Sequence, residues 1–204
     1  IIHLFDKKVD KMFLRYNVEK IRKDFPVLCK PIIYFDSACM SLKPMQVINK
    51  LNEYYSEYPA CAGRSSHSLA KKVETEIAES RNEIKKFINA KSEQEIIFTR
   101  NTTEGINLVA NSLCLKKCDE IIISDKEHNS NLVPWLKLKK NGVKIVVVDS
   151  NPDNTFNIEN FKKCFTKNTK IVSVAHVSNL DGVANPIKEI EKATHANNAL
   201  LIVD

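Results

Sequence analysis

Glu120-Ile-Ile-Ile-Ser124, Val143-Lys-Ile-Val-Val-Val-Asp149, Lys170-Ile-Val-Ser-Val-Ala-His-Val177 and Ala199-Leu-Leu-Ile-Val-Asp204 decide the fold. Each is a short run of β-branched and aliphatic residues without regular polar alternation. That is the pattern of strands buried on both faces of a parallel sheet. Helical spacing fills the gaps over 131–140, over 158–165 after a Pro152-Asp-Asn turn, and from Pro186 to about residue 197. Asn141-Gly142 supplies a left-handed stop for the first of these helices. Strand and helix alternate, so the expectation is an α/β chain: three αβα layers around a mainly parallel sheet.

Upstream the same rhythm continues. Glu95-Ile-Ile-Phe-Thr-Arg100 reads as a strand, and 102–113 as a helix. Leu69, Val73, Ile77, Ile84, Phe87 and Ile88 recur every three or four residues, which predicts a long helix over 68–89. Pro59 to Ser66 reads as a loop. Pro44 suits a first helical turn, with Val47, Ile48, Leu51, Tyr54 and Tyr55 following at helical spacing. Ile32-Ile-Tyr-Phe-Asp36 is a further β-rich run. The expected organisation is an N-terminal segment, 1–30, and then 31–204 as the first part of a larger domain. Residues 1–11 read as a remnant ahead of Met12. The chain begins with Ile and stops straight after an apolar run, so a longer protein with an absent C-terminal remainder is expected.

The 204 residues are 43% hydrophobic and 27% charged, an ordinary globular mixture that excludes extended disorder. Lys+Arg 31 against Asp+Glu 25 gives +6, spread along the chain as a solvated surface, so no nucleic-acid partner is expected. No run approaches the ~18–20 apolar residues of a membrane span. Residues 1–10 carry no secretory apolar core. Cys29, Cys39, Cys61, Cys114, Cys118 and Cys164 read as reduced thiols of a cytoplasmic protein. Cys114 and Cys118 stand four apart without a second pair or nearby histidine, so no metal site is expected.

Open α/β sheets bind ligands beyond the carboxyl ends of their strands. The candidates are therefore Asp36-Ser-Ala38, Arg100-Asn-Thr-Thr-Glu-Gly105, Asp125-Lys-Glu-His128, His176-Val-Ser-Asn179 and Asp204, converging from five strands. Thr102 and Thr103 lie where a helix begins. Unpaired backbone N–H groups and two hydroxyls there can cradle a phosphate, or form a plain N-cap. His128 can be a base, a ligand or a ring stacked on a planar cofactor. Asp204 ends an apolar strand, where a carboxylate needs a cation or donors, or caps a helix. Neither a G-x-G-x-x-G nor a P-loop is present.

These residues resemble the cysteine desulfurases of the class V aminotransferase family, on the fold-type I scaffold that binds pyridoxal 5′-phosphate (PLP). The resemblance is nearest to the SUF-type branch, which includes selenocysteine lyases. It rests on Tyr34-Phe-Asp-Ser-Ala38, Thr102-Thr-Glu-Gly-Ile-Asn-Leu-Val-Ala-Asn-Ser112, Glu127-His-Asn-Ser-Asn-Leu-Val-Pro-Trp135, His176-Val-Ser-Asn-Leu-Asp-Gly182 and Leu201-Ile-Val-Asp204, in order over 19–204. It implies that Thr102 and Thr103 bind the cofactor phosphate. It implies that His128 stacks on the ring and moves a proton, that Asn179 contacts the cofactor or the substrate carboxylate, and that Asp204 pairs with the ring nitrogen. Arg64 stands where relatives carry H-R-G, without the histidine, and is assigned to the substrate across a dimer.

The activity this implies is conversion of L-cysteine to L-alanine, with sulfur passed as a persulfide to an acceptor protein for iron–sulfur or thio-cofactor assembly. A homodimer is the implied assembly. Selenocysteine lysis or another class V reaction is the alternative, and an inactive fragment or scaffold subunit is another. The lysine that carries the cofactor, the persulfide cysteine and the carboxylate-clamping arginine are expected beyond Asp204. The 204-residue chain alone is therefore expected to be inactive. Cys39 and Cys61 read as small loop residues.

Overall fold

The computed structural model describes residues 17–204. Met12 and the expected remnant 1–11 lie outside the described residues. The chain forms two compact units, the first ending at Ile97 and the second Phe98–Asp204.

The first unit is helical. It holds α1 (Val18–Arg22), α2 (Met45–Glu57) and α3 (Ser68–Phe87), with short 3-10 turns at Pro26–Cys29 and Glu93–Glu95. Asn17 caps α1 through Oδ1 to the Lys20 N–H, and His67 caps α3 through Nδ1 to the Ala70 N–H. Tyr58 is buried behind α2, with the Lys72 ammonium 3.9 Å from its ring centroid. Lys50 joins α2 to α3 through Glu76 at 2.9 Å. Arg81 Nε donates to Ile96 O at 3.3 Å, tying the segment after α3 back onto that helix.

The second unit carries the sheet. Its strands are β1 (Glu120–Ser124), β2 (Lys144–Val148), β3 (Thr169–Val174) and β4 (Leu200–Val203), in the order β2-β1-β3-β4 and all parallel. Its helices are α4 (Thr102–Ser112), α5 (Asn129–Leu138), α6 (Ile158–Lys163) and α7 (Ile187–Ala196). Side chains alternate across a strand, and β1 sends Ile121 and Ile123 to one face and Ile122 to the other. On the first face they meet Ile106 and Ala110 of α4, Trp135 of α5, and Val143 and Ile171. On the second, Ile122 meets Val148, Val172, Val174, Phe156, Phe161 of α6 and Ile190 of α7. The layers are thus α4 and α5, the sheet, then α6 and α7. β1 is buried throughout and β3 everywhere except Lys170, as expected of central strands, while β2 and β4 are partly exposed at the edges. Gly142 stops the turn after α5 with φ 81°, as the Asn-Gly pair predicts. Among the described residues no helix is long and apolar enough to cross a membrane.

Two expected strands are corrected. Ile32–Asp36 and Glu95–Arg100 do not form strands of the sheet among the described residues, Glu95 closing a 3-10 turn instead. Ile96 keeps strand-like dihedrals (φ −100°, ψ 114°), so local preference does extend the chain there. A strand also needs a neighbouring ladder, and Ile33, Phe35 and Ile97 are instead exposed. The paired strands that deliver candidate residues are therefore β1, β3 and β4, three rather than five.

Candidate functional site

The strand order fixes where a ligand crevice opens. β1 lies between β2 and β3, so the chain leaves β1 toward one side and returns on the other. The crevice belongs outside the carboxyl ends of β1 and β3. Three consecutive residues after β1 stitch those ends together, each to a different neighbour. Asp125 accepts from the Ser150 N–H at 2.9 Å and from Ser150 Oγ, at the exit of β2. Lys126 donates to Asn154 O at 2.8 Å and pairs with Asp181 in the loop after β3. Glu127 accepts the Ala175 N–H at 3.2 Å, at the exit of β3.

Glu127 anchors a buried network whose direction is fixed. Trp135 Nε1–H and the Ser173 hydroxyl both donate to Asn131 Oδ1, at 3.1 and 2.6 Å. That leaves the Asn131 amide to donate to Glu127 Oε2 at 2.6 Å. Glu127 Oε1 receives the Ser124 hydroxyl as well as Ala175. Every partner thus points a donor at the carboxyl, and only the Ser124 hydroxyl can reverse. Burial pushes the Glu127 pKa up; the bonds to Ser124, Asn131 and Ala175 pull it back without cancelling the rise. The folded carboxyl therefore holds its proton more tightly than the unfolded chain, where glutamate titrates near ~4.3. Its contribution to stability is present below that pH and is lost as pH rises through the folded pKa. Accordingly, the stability of the parent minus that of Glu127→Gln should fall from about pH 4 toward neutrality. Denaturant titrations at a series of pH values measure it, and a difference flat with pH would contradict the assignment.

The residues singled out from sequence divide between the units. His128 directly follows the stitched tripeptide and caps α5: its Nδ1 receives the Ser130 N–H at 3.2 Å and lies 2.7 Å from Ser130 Oγ. Accepting at Nδ1 puts the proton of the neutral ring on Nε2. Asn179 sits at the exposed tip of the loop after β3. Asp204 follows β4, half-buried, and its backbone locks it to β3: its N–H bonds Val174 O at 3.0 Å and its O receives the His176 N–H at 2.8 Å. Thr102 and Thr103 open α4. Asn101 Oδ1 takes the Glu104 N–H at 2.9 Å, and Glu104 Oε2 takes the Arg100 N–H at 2.7 Å, a reciprocal cap. Chiefly that Arg100 N–H, then the Arg100 side chain, holds the Glu104 carboxyl below its usual range. The N–H groups of Thr102 and Thr103 come ahead of the first intrahelical bonds and stay available. Thr103 lines an open groove of about 570 Å³ with Arg100, Asn101 and Glu104. Arg64 belongs to the first unit, in an exposed turn where the preceding Gly63 (φ 75°) donates its N–H to Glu74 at 2.7 Å. Cys39 and Cys61 also belong to the first unit, exposed.

Lys126 and Glu127 stand among the strand-end candidates read from sequence but received no individual role there, and Asn131 was not among those candidates. The available signal was a charged pair directly after a strand of isoleucines, where a carboxylate can only lie near a sheet end.

Four likenesses bear on what these parts do. A model described as "Aminotransferase class-V" matches residues 33–204. A "Probable cysteine desulfurase" of Halalkalibacterium halodurans is 41% identical over 197 residues, covering 92% of this chain and 48% of that protein. A "Cysteine desulfurase" of Escherichia coli is 39% identical over 200 residues, covering 94% of this chain and 49% of that protein. Among solved structures, an apo cysteine desulfurase from Thermococcus onnurineus NA1 superposes with a TM-score of 0.85 at 35% identity, covering 91% of this chain and 46% of that one. The chain spans about half the length of the curated relatives it matches.

Proposed function

The chain belongs to the class V aminotransferase family, and from that premise we propose that it is the N-terminal part of a PLP-dependent cysteine desulfurase. The whole protein would convert L-cysteine to L-alanine and pass the sulfur as a persulfide to an acceptor protein. The motifs favour the SUF-type branch, a homodimer and a role in iron–sulfur or thio-cofactor assembly. Free thiols suit a reducing cytoplasm. The observation that supports the reading is the strand order, which reverses at β1 and β3, with His128 following β1, Asn179 following β3 and Asp204 bonded by its backbone to the end of β3.

The donor set suits PLP. Two backbone N–H groups and two hydroxyls at Thr102 and Thr103 match a phosphate, and the helix dipole favours an anion there. Asp204 offers a half-buried carboxylate as acceptor for a ring N–H, which would keep that nitrogen protonated. His128 offers a flat ring whose Nε2 can give or take a proton. When bound, PLP supplies an electron sink for charge developing on an amino-acid substrate. Asn179 is assigned to the cofactor or to the substrate carboxylate, and Arg64 to the substrate.

Alanine release from L-cysteine by the intact, PLP-loaded protein tests the reading. Release from selenocysteine alone would replace it with the lyase, and release from neither would reject it. Thr103→Ala should weaken PLP about tenfold or more, since a charge-assisted contact is worth roughly 1.5–3 kcal/mol. An absorbance titration measures this, and an unchanged dissociation constant would remove Thr103 from the phosphate site.

A further inference from the structure

The loop after β3 has a well-bonded base and a bare tip. At the base Val177 bridges Ala184. The Ser178 N–H bonds Val183 O at 3.0 Å, and the Asn185 amide donates to Ala175 O at 2.8 Å. Ser178 is buried, but Asn179, Leu180, Asp181 and Gly182 are exposed, Leu180 at 83%. Asp181 Oδ1 accepts the Val183 N–H at 3.2 Å, which shapes the tip from within. Its Oδ2 reaches outside the loop, to the Lys126 ammonium.

This pair differs from an ordinary surface ion pair in three respects. It joins residues 55 apart, on the exits of β1 and β3. Its cation has a second fixed acceptor, Asn154 O at 2.8 Å, in the turn after β2. Its side chains are only 20% and 31% exposed, so water screens the pair less than a surface pair. The Lys126 hydrogen bond, foremost, holds the Asp181 carboxyl down to about 2.

We propose that Lys126 and Asp181 are a positioning pair that straps the 179–182 tip to the exits of β1 and β2, and so sets Asn179 for substrate. The proposal rests on the desulfurase reading for what Asn179 binds. The strap itself rests on the geometry alone. A tip bonded only to its own loop samples open positions on nanosecond-to-microsecond timescales. A charge-assisted tether to the strand exits shifts that population toward the closed position before substrate arrives. The gain appears in binding, because neither side chain is among the groups assigned to move protons.

The test uses the intact, PLP-loaded protein with Lys126→Met, Asp181→Asn and the double variant. Lys126→Met removes both tethers of the ammonium. Asp181→Asn keeps an oxygen for Val183 and removes only the charge. Each single variant should raise KM for L-cysteine roughly five- to tenfold with kcat within about twofold, and speed amide exchange at 180–183 by a similar factor. Two residues acting as one strap give a double variant no worse than the worse single. Lys126→Arg, which keeps the charge, should recover most of the loss. Unchanged exchange at 180–183, or an additive double variant, overturns the strap. A lowered melting temperature with unchanged KM and exchange assigns the pair to stability alone and equally overturns it. If the parent releases no alanine while the variants still exchange faster, the desulfurase reading fails and the strap stands.

Discussion

Truncating Trp135 to alanine is expected to lower stability by about 3–5 kcal/mol, the range for a fully buried aromatic replaced by a methyl group. Trp135 is 0% exposed. It sits between α4 and the sheet, against Ile106, Ala110, Ile121, Ile123, Val143 and Ile171. That core is shared by two helices and two strands, so none of them can close the void without losing register with the others. The polar part of the loss is smaller. Asn131 Oδ1 loses the indole N–H but keeps the Ser173 hydroxyl at 2.6 Å. Trp135→Phe separates the two contributions: it keeps most of the volume and loses only the donor, so about 1–2 kcal/mol is expected. Trp135 is the chain's single tryptophan, so unfolding is followed by circular dichroism rather than intrinsic fluorescence. A loss under about 1 kcal/mol for the alanine variant would mean that α4 does not pack on α5 as described.

What the sequence could reveal follows from how local each signal is. β1 and β3 are legible because burial on both faces demands an uninterrupted aliphatic run, and Ile121-Ile-Ile123 and Ile171-Val172 are such runs. The same run at Ile32-Ile-Tyr-Phe misleads. Side chains set the extended conformation, but pairing depends on which strand lies alongside, and that is not local. At the site, Thr102 and Thr103 are legible through Asn101 and Glu104, since a helix start is written within one turn. His128 and Asp204 are legible as residues following apolar runs. Lys126 and Glu127 are not. Their roles come from partners 55 and 48 residues away and from burial after the sheet closes. In sequence a charged pair after a strand reads as a place near a possible site, not as a particular set of partners.

Asp204→Ala is expected to cut kcat/KM for L-cysteine in the intact protein by roughly 10²–10³-fold, the scale for removing one preorganised electrostatic group. The expectation depends on the desulfurase reading, and the structure offers a reason why the loss should be chemical rather than structural. Asp204 is held by its backbone: the N–H bonds Val174 O at 3.0 Å and the carbonyl receives the His176 N–H at 2.8 Å. Alanine keeps both bonds, and β4 stays paired with β3 through Ile171–Val174. Stability should therefore move by no more than about 0.5 kcal/mol, as at an ordinary partly exposed position. A carboxylate beside a ring nitrogen keeps that nitrogen protonated by charge, so Asp204→Asn, which keeps shape and hydrogen-bonding capacity, should be nearly as damaged as alanine. Asp204→Glu should retain more activity than either, because it preserves the charge at the cost of position. Steady-state kinetics with visible absorbance of the bound cofactor distinguishes these outcomes. Full activity in Asp204→Asn would show that charge at the end of β4 is not what the reaction uses, and would leave Asp204 as the terminus of an edge strand.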